Sequence, residues 1–458
     1  MNELLQRLTA QPGTPQPPAR HRQPRLLYAV NHSQPFSSNG YAVRTHGVAA
    51  ALARSGVDVI AASRPGLPWD RPGFAKAGFA LEHRIEGVRY VHLPHPSQAG
   101  VALPDYLARS AEAFGELLRV FRPHAVMAAS NWHNALPAAL AARAVGLPFF
   151  YEVRGFWEIS QVARDPVWAD SAGFRHEVEG ETAVALAAER VFTINRFMRD
   201  ELARRGVEQA RVDLVPNGFA GWPAPAGEAD MPVTRAGLGI RARFVVGYIG
   251  SFNIYEGLED LIEAVARLRG RGVDVALMLV GSGEPMGFAA AGNGSSCPAS
   301  AAYRALAERR GLGDHLFMPG RIPPEQAAAY YALLDAVVIP RRPLAVCEIV
   351  SPMKPLEAAA HGKRVLMSDV APLAELVGLC PNFTTFRKGD VADLAARLAA
   401  LLEAGERDLP RCAALLSLTW DRNVAPIVAA IQGCVSPRSI SQTQLAKLSD
   451  ECVRLLEE

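Results

Sequence analysis

The chain has 458 residues, more than one hydrophobic core usually organises, so two large domains or about three smaller ones are expected. Apolar residues make up 49% and charged residues 21%, which excludes wholesale disorder. Lys and Arg number 48 against 46 Asp and Glu, so there is no global basic field for nucleic acid and any anionic ligand needs a local cluster.

Residues 1–24 carry no apolar segment of signal-peptide type, and the run Gln11 to Pro18, with four prolines, reads as a flexible leader. Arg25 to Asn31 is an apolar run ending in polar residues, which reads as a buried strand. A polar loop with Asn39-Gly40 follows. Tyr41 to Ser55 then has helical spacing (Val43, Val48, Leu52) and stops at Gly56, before a second strand at Val57 to Ser63. His124 to Ser130, Leu147 to Val153 and Ala188 to Ile194 are further strands, with helices at Ala135 to Val145 and Arg196 to Arg205. Arg211 to Pro216 runs into the turn Asn217-Gly218, and the Pro-, Ala- and Gly-rich stretch 222–240 reads as a linker.

The same grammar then recurs. Arg243 to Gly250 is a strand, Ser251 to Gly257 a loop, Leu258 to Arg269 a helix and Val273 to Val280 a strand, and both copies share Gly-Val-Asp-Val at the helix-to-strand junction. Phe288 to Ser300 reads as a surface excursion; Asp335 to Pro340 and Lys363 to Ser368 are later strands. Strand–helix–strand units of this length pair in parallel. The fold class is therefore α/β, with two Rossmann-like doubly wound domains facing across a cleft, at 25–221 and 241–410. Segment 411–434 is expected to cross back to the first domain as a helix, and 435–458 to form a tail helix.

Six cysteines stand singly in the second half, a pattern of reduced thiols in a cytoplasmic protein rather than of a disulfide framework or zinc knuckle. No apolar run reaches the ~20 residues of a membrane span, which leaves peripheral attachment at a membrane face compatible with the composition.

Four segments at strand ends can carry chemistry. Gly250 to Gly257 enters a helix, where free N–H groups favour phosphate, but a turn has the same composition; the spacings of dinucleotide and P-loop motifs are absent. Pro340 to Gly362 is the densest cluster, gathering Arg341, Arg342, Glu348, Lys354 and Glu357. Pro355 suits the first turn of a helix from Leu356 to His361, and Glu357 either complements that helix dipole or meets ligand hydroxyls. Three cations with two carboxylates suit a phosphorylated, hydroxyl-rich ligand. Tyr151 to Glu158 sets Glu152, Arg154 and Glu158 beside Phe156 and Trp157, as an internal salt bridge or an open site. Ser130 to His133 offers a lone His133, as packing or as a site residue.

Taken in order, Asn39–His46, Tyr151–Glu158, Val215–Gly218, Tyr248–Ser251, Tyr255–Leu258, Gly320–Ile322 and Lys354–Ala358 resemble the retaining glycosyltransferases of family four, which have the glycosyltransferase B fold. The resemblance covers roughly Arg25 to Trp420. It implies a cytoplasmic, metal-independent enzyme of polysaccharide or glycoconjugate assembly, with no cofactor beyond a UDP- or GDP-linked sugar as substrate. The acceptor would be a saccharide or a lipid-linked one. By the same resemblance Glu357 meets the donor ribose, Glu348 faces the transferred sugar, Gly250 and Ser251 lie under the diphosphate, and Arg321-Ile322 lie against the base. Lys354, Pro355 and Leu356 complete that donor segment, and Glu348, Arg154 and Lys354 become the expected catalytic groups. Asn39, Gly40, His133, Glu152 and Trp157 fall on the acceptor side. Three departures stand out: eight residues rather than seven separate Glu348 from Glu357, Ser251 and Glu256 stand where the family has Arg and Lys, and Arg154 stands in place of a common His. Lys354 with Arg341 or Arg342 is the expected replacement charge. The alternatives are a sugar-nucleotide epimerase of the same fold and a binding protein that has lost turnover.

Overall fold

The computed structural model describes residues 2–8, 13, 23–37, 39–71, 74, 78–219, 221–222, 233–283, 297–405, 409 and 412–435. Most of the expected leader, linker and excursion, and the expected tail helix beyond residue 435, lie outside the described residues, but the leader is not flexible at its start: Asn2–Gln6 is a helix, and Leu4 and Leu8 are buried in the first-lobe core.

The first lobe is built on eight strands: β1 (Arg25–Val30), β2 (Asp58–Ser63), β3 (Glu82–Ile85), β4 (Val88–Val91), β5 (Ala125–Ala129), β6 (Phe149–Val153), β7 (Arg190–Thr193) and β8 (Val212–Leu214). Their spatial order is β3-β4-β2-β1-β5-β6-β7-β8, with β3 antiparallel to β4 and the other pairs parallel. The second lobe has β9 (Phe244–Ile249), β10 (Val275–Val280), β11 (Leu316–Gly320), β12 (Ala336–Ile339), β13 (Arg364–Ser368) and β14 (Phe383–Phe386), in the order β11-β10-β9-β12-β13-β14. Helices cover both faces of each sheet, so the central strands are continuous apolar runs: every residue of β5 and of β10 is buried. The direction of winding reverses between β1 and β5 in one sheet and between β9 and β12 in the other. Loops diverge at such switch points and leave a crevice at the carboxyl ends of the strands.

Local chemistry sets the loops at that edge. Asn39 Oδ1 accepts from Ala42 N (2.9 Å) and starts the helix Gly40–Arg54 directly after the β1 loop. Asn195 Oδ1 likewise accepts from Met198 N (2.9 Å) to start Arg196–Arg204.

After the second lobe the chain returns to the first. Trp420 is 4% exposed and packs on the helix Gly40–Arg54, where a Cβ at Gly47 would overlap the indole. Asn423 Nδ2 donates to Pro216 O (3.1 Å), and Ile427 and Ile431 join the core that holds Tyr28, Val48 and Phe150. Phe219 and Thr419, on the outgoing and returning strands of chain, form a parallel β-bridge.

Candidate active site

The carboxyl edges of the two sheets enclose a cleft of about 1000 Å³, at the upper end of the ~300–1000 Å³ usual for small-molecule sites. The first lobe contributes Asn39 from the end of the β1 loop, Gly40, Tyr41 and Arg44 from the helix it starts, Arg154 from the end of β6, and Asn217. The second contributes the loop after β9, Arg321 and Ile322 after β11, Arg341 after β12, and Ser351 to Lys354 with Glu357.

Behind the first wall Glu152, with no exposed surface, accepts from Arg44 (2.9 Å), Arg154 (2.8 Å) and Tyr28. Burial pushes its carboxyl up, but the two guanidinium groups more than reverse this and hold it down at about 2. Arg44 also donates to Val215 O (2.7 Å) and Asn217 Oδ1 (2.9 Å). Arg154 donates to Thr45 Oγ1 (2.8 Å) and lies over the Tyr41 ring at 4.3 Å.

The second wall repeats the device. Glu256, 1% exposed, accepts from Arg341 Nη2 (3.0 Å) and Lys354 Nζ (3.2 Å). Burial raises its carboxyl, and Arg341 and Lys354 more than offset that, leaving it at about 2. Arg341 also donates to Val350 O (2.7 Å), so its plane is fixed from two sides. The Lys354 stem passes directly against Gly250, whose φ of +150° and lack of a side chain leave room for it; a Cβ there would collide with Lys354 Cε. Each wall therefore sets two cations against one buried carboxylate, and each of these clusters has one positive charge in excess. This is the local cluster that a nearly neutral chain requires.

The lobes are latched at the floor. Asn195 Nδ2 donates to Ile349 O (2.9 Å) and Ser351 Oγ (2.7 Å), and Asn217 Nδ2 to Ser351 O (2.9 Å). Nearer the lip, Arg164 donates to Asn253 Oδ1 (3.0 Å) across the gap. Beside Lys354, burial pushes the Glu357 carboxyl above its usual range, with Lys354 opposing. Tyr331 and His361 stack at 4.6 Å on the same wall.

Of the residues singled out in the sequence, Asn39, Gly40, Arg154, Gly250, Ser251, Arg321, Ile322, Arg341, Lys354 and Glu357 line the cleft together. The others stand elsewhere. Glu348 accepts from Lys388 Nζ (2.6 Å) and from Ala371 N (2.9 Å), an N–H at the start of the helix Ala371–Ala374. The short helix Ala345–Ile349 turns that carboxylate away, and Val350 lines the cleft instead, which corrects the expectation that Glu348 faces a sugar. Arg342 is occupied by Asp260 (3.0 Å) and Glu259 (3.4 Å), outside the lining. Pro355 and Leu356 are buried in the first turn of the helix Lys354–Ala360, where they pack the second lobe rather than touch the cavity. Glu152 is an internal counter-charge, not a surface for an acceptor. His133 pairs with Glu177 (3.3 Å) against Trp132, and Trp157 lies 44% exposed, edge-on to Trp168; neither lines the cleft. Arg44, Tyr41 and the two asparagine latches are site residues the sequence reading did not single out; Glu256, noted there only as standing where the family has a cation, is the counter-charge of Arg341 and Lys354.

Two switch-point loops facing each other across a cleft that holds clustered cations define a two-lobed protein with its main cavity between the domains. Two family models match: "Glycosyl transferase 4-like domain" over residues 39–218 and "Glycosyl transferases group 1" over 243–404. The chain belongs to this family of glycosyl transferases with the glycosyltransferase B fold. It is 25% identical to a 2-deoxystreptamine glucosyltransferase of Streptomyces kanamyceticus, over 58% of this chain and 65% of that one. It is 24% identical to a glycogen synthase of Mycobacterium tuberculosis, over 83% and 86%. Among solved structures, a sucrose-phosphate synthase from Thermosynechococcus elongatus aligns with a TM-score of 0.64 and 19% identity, covering 95% of this chain and all of that one. Anabaena HepE, solved in complex with UDP-glucose, aligns at 0.59 and 16% identity over 93% and 99%.

Proposed function

We propose that the protein is a retaining, metal-independent glycosyltransferase that moves a sugar from a nucleoside-diphosphate donor to a hydroxyl of a saccharide or lipid-linked acceptor. The reading rests on one observation above all: Arg341 and Lys354, held by Glu256 at the switch point beside the Gly250 loop, on the wall of the inter-lobe cleft. A diphosphate seated there meets two charge-assisted donors. Lys354, 18% exposed, turns to it most readily. Glu357, one helical turn on, takes ribose hydroxyls. The UDP-glucose in the HepE structure supports a nucleotide sugar as the ligand of this fold.

In the transfer, the bond between the anomeric carbon and the diphosphate oxygen breaks while the acceptor oxygen bonds to that carbon on the same face. The acceptor proton passes to the departing phosphate oxygen. Arg341 and Lys354 stabilise the charge growing on that oxygen, which is where fixed positive groups have most effect. Arg154, locked by Glu152 and Thr45, adds positive potential from the opposite wall. No helix among the described residues is long and apolar enough to cross a membrane, and we place the work in the cytoplasm, in solution or at a membrane face.

Incubation with a panel of UDP- and GDP-linked sugars tests the reading. Slow release of one nucleoside diphosphate, accelerated by an acceptor, is expected. An epimeric nucleotide sugar would identify an epimerase, and tight binding with no release would identify a binding protein. Failure of every nucleoside diphosphate to bind would overturn the reading.

A further inference from the structure

Buried polar groups without partners gather at one place in the first lobe, away from the donor wall. Ser33 and His92 are 1% exposed and Ser37 is 3% exposed. Among the described residues, Ser33 Oγ, Ser37 Oγ, His32 Nδ1, His83 Nε2, His92 Nε2 and Arg71 Nε make no hydrogen bond. All six lie on β3 or on the segments that leave the carboxyl ends of β1, β2 and β4, the same edge of the sheet as the cleft. Folded proteins leave few such groups unpaired, because each loses its bonds to water without replacement. So many in one patch mark a place where another molecule completes the set.

The charge of the patch indicates what that molecule carries. Arg64 donates to both oxygens of Asp70 (2.6 and 3.2 Å), while Arg71 approaches Asp70 only to 3.9 Å. Two guanidinium groups against one carboxylate leave one positive charge in excess. Burial, and then Arg71 and Arg64, hold the His32 imidazole down at about 4, so it stays neutral beside them. Phe36 lies edge-on to His92 (4.7 Å) and His83 (5.5 Å) and closes the patch on its apolar side. The patch also borders the cleft. The His32 ring meets the edge of Tyr41 (5.7 Å), and His32 O accepts from Thr45 Oγ1 (3.4 Å), the hydroxyl that receives Arg154.

We propose that this patch is an acceptor subsite for an anionic oxygen group, a phosphate or a carboxylate, with Arg71, Ser33, Ser37 and His32 as its ligands. That the anion belongs to the acceptor rests on the transferase reading; that the patch binds an oxyanion does not. Such a group accepts from the Arg71 guanidinium and the two serine hydroxyls at once, and its charge balances the excess left by Asp70.

The test is a titration of the full chain, saturated with whichever of UDP or GDP it binds, at constant ionic strength. The probes are inorganic phosphate, acetate and glucose, followed by the ring nitrogen signals of His32, with His361 on the donor wall as the internal reference. Phosphate or acetate should shift the His32 signal saturably and leave His361 unmoved, and glucose should move neither. Whichever of the two anions binds more tightly identifies the group. Arg71→Gln should weaken that binding about 10-fold, and Ser33→Ala about 3-fold, with nucleotide affinity and thermal unfolding unchanged. No shift at His32 with either anion, or equal affinity in Arg71→Gln and the wild type, overturns the subsite. If neither UDP nor GDP binds, the titration is run without nucleotide; an anion response at His32 then keeps the subsite and removes the transferase.

Discussion

Replacing Glu256 by Gln tests the charge arrangement of the second lobe. The side chain keeps its volume, but Arg341 and Lys354, held within 3.0 and 3.2 Å of one carboxylate, lose the charge between them. The folded carboxyl sits at about 2 against an ordinary 4.5. At about 1.4 kcal/mol per pH unit, that displacement corresponds to roughly 3 kcal/mol of stability. This agrees with the ~3–5 kcal/mol lost when one partner of a buried ion pair is removed. In a lobe of this size the loss lowers the melting temperature by about 6–12 °C. The sign fixes the pH window. A depressed acid stabilises the fold above its unfolded pKa and loses that contribution as pH falls through the folded one. The gap between wild type and Glu256→Gln should therefore be flat from pH 8 to 5 and narrow only below about 4.5. Calorimetry of both proteins across that range, with parallel titration by UDP and GDP, reads the outcome. Nucleotide affinity should hold or rise, since the variant presents one more positive charge to the diphosphate. A variant as stable as the wild type at pH 7 would refute the claim that Glu256 holds the two cations.

Three further outcomes are expected. Lys354→Ala should weaken nucleoside diphosphate binding by about 10- to 100-fold by equilibrium titration, the span of a hydrogen bond to a charged group; full retained affinity would remove Lys354 from the donor site. Burial and neighbouring Glu158 push the Glu181 carboxyl up to about 8, so between 4.5 and 8 the folded chain holds a proton that the unfolded chain has released. Stability should fall as pH rises through that interval, and Glu181→Gln should flatten the slope in denaturant melts. Trp420→Ala leaves a void against Gly47 and Gly218 and should cost about 3–5 kcal/mol, read as earlier unfolding of the first lobe by calorimetry.

The two-lobed architecture is legible because β5, β9, β10 and β12 are nearly unbroken apolar runs, the mark of strands covered on both faces. The hairpin β3–β4 is not. Its first strand, Glu-His-Arg-Ile, lies at the sheet edge with alternating partial exposure and has no apolar pattern to find. The cleft-lining positions Lys354 and Glu357 are readable because Pro355 and a strand end place them at a helix start. Glu348 shows the limit of that logic. A residue one short helix upstream can face either way, and here a free N–H at Ala371 and the Lys388 ammonium decide its direction. Glu256 is visible in the sequence as an acid where the family has a cation, but its pairing is not: its partners are 85 and 98 residues away, and only the folded sheet brings them together.

The bridge between Phe219 and Thr419 pins the outgoing and returning strands of chain side by side, so the lobes share a double strap rather than a single tether. It also means that a single proteolytic cut in either crossing should leave the halves attached.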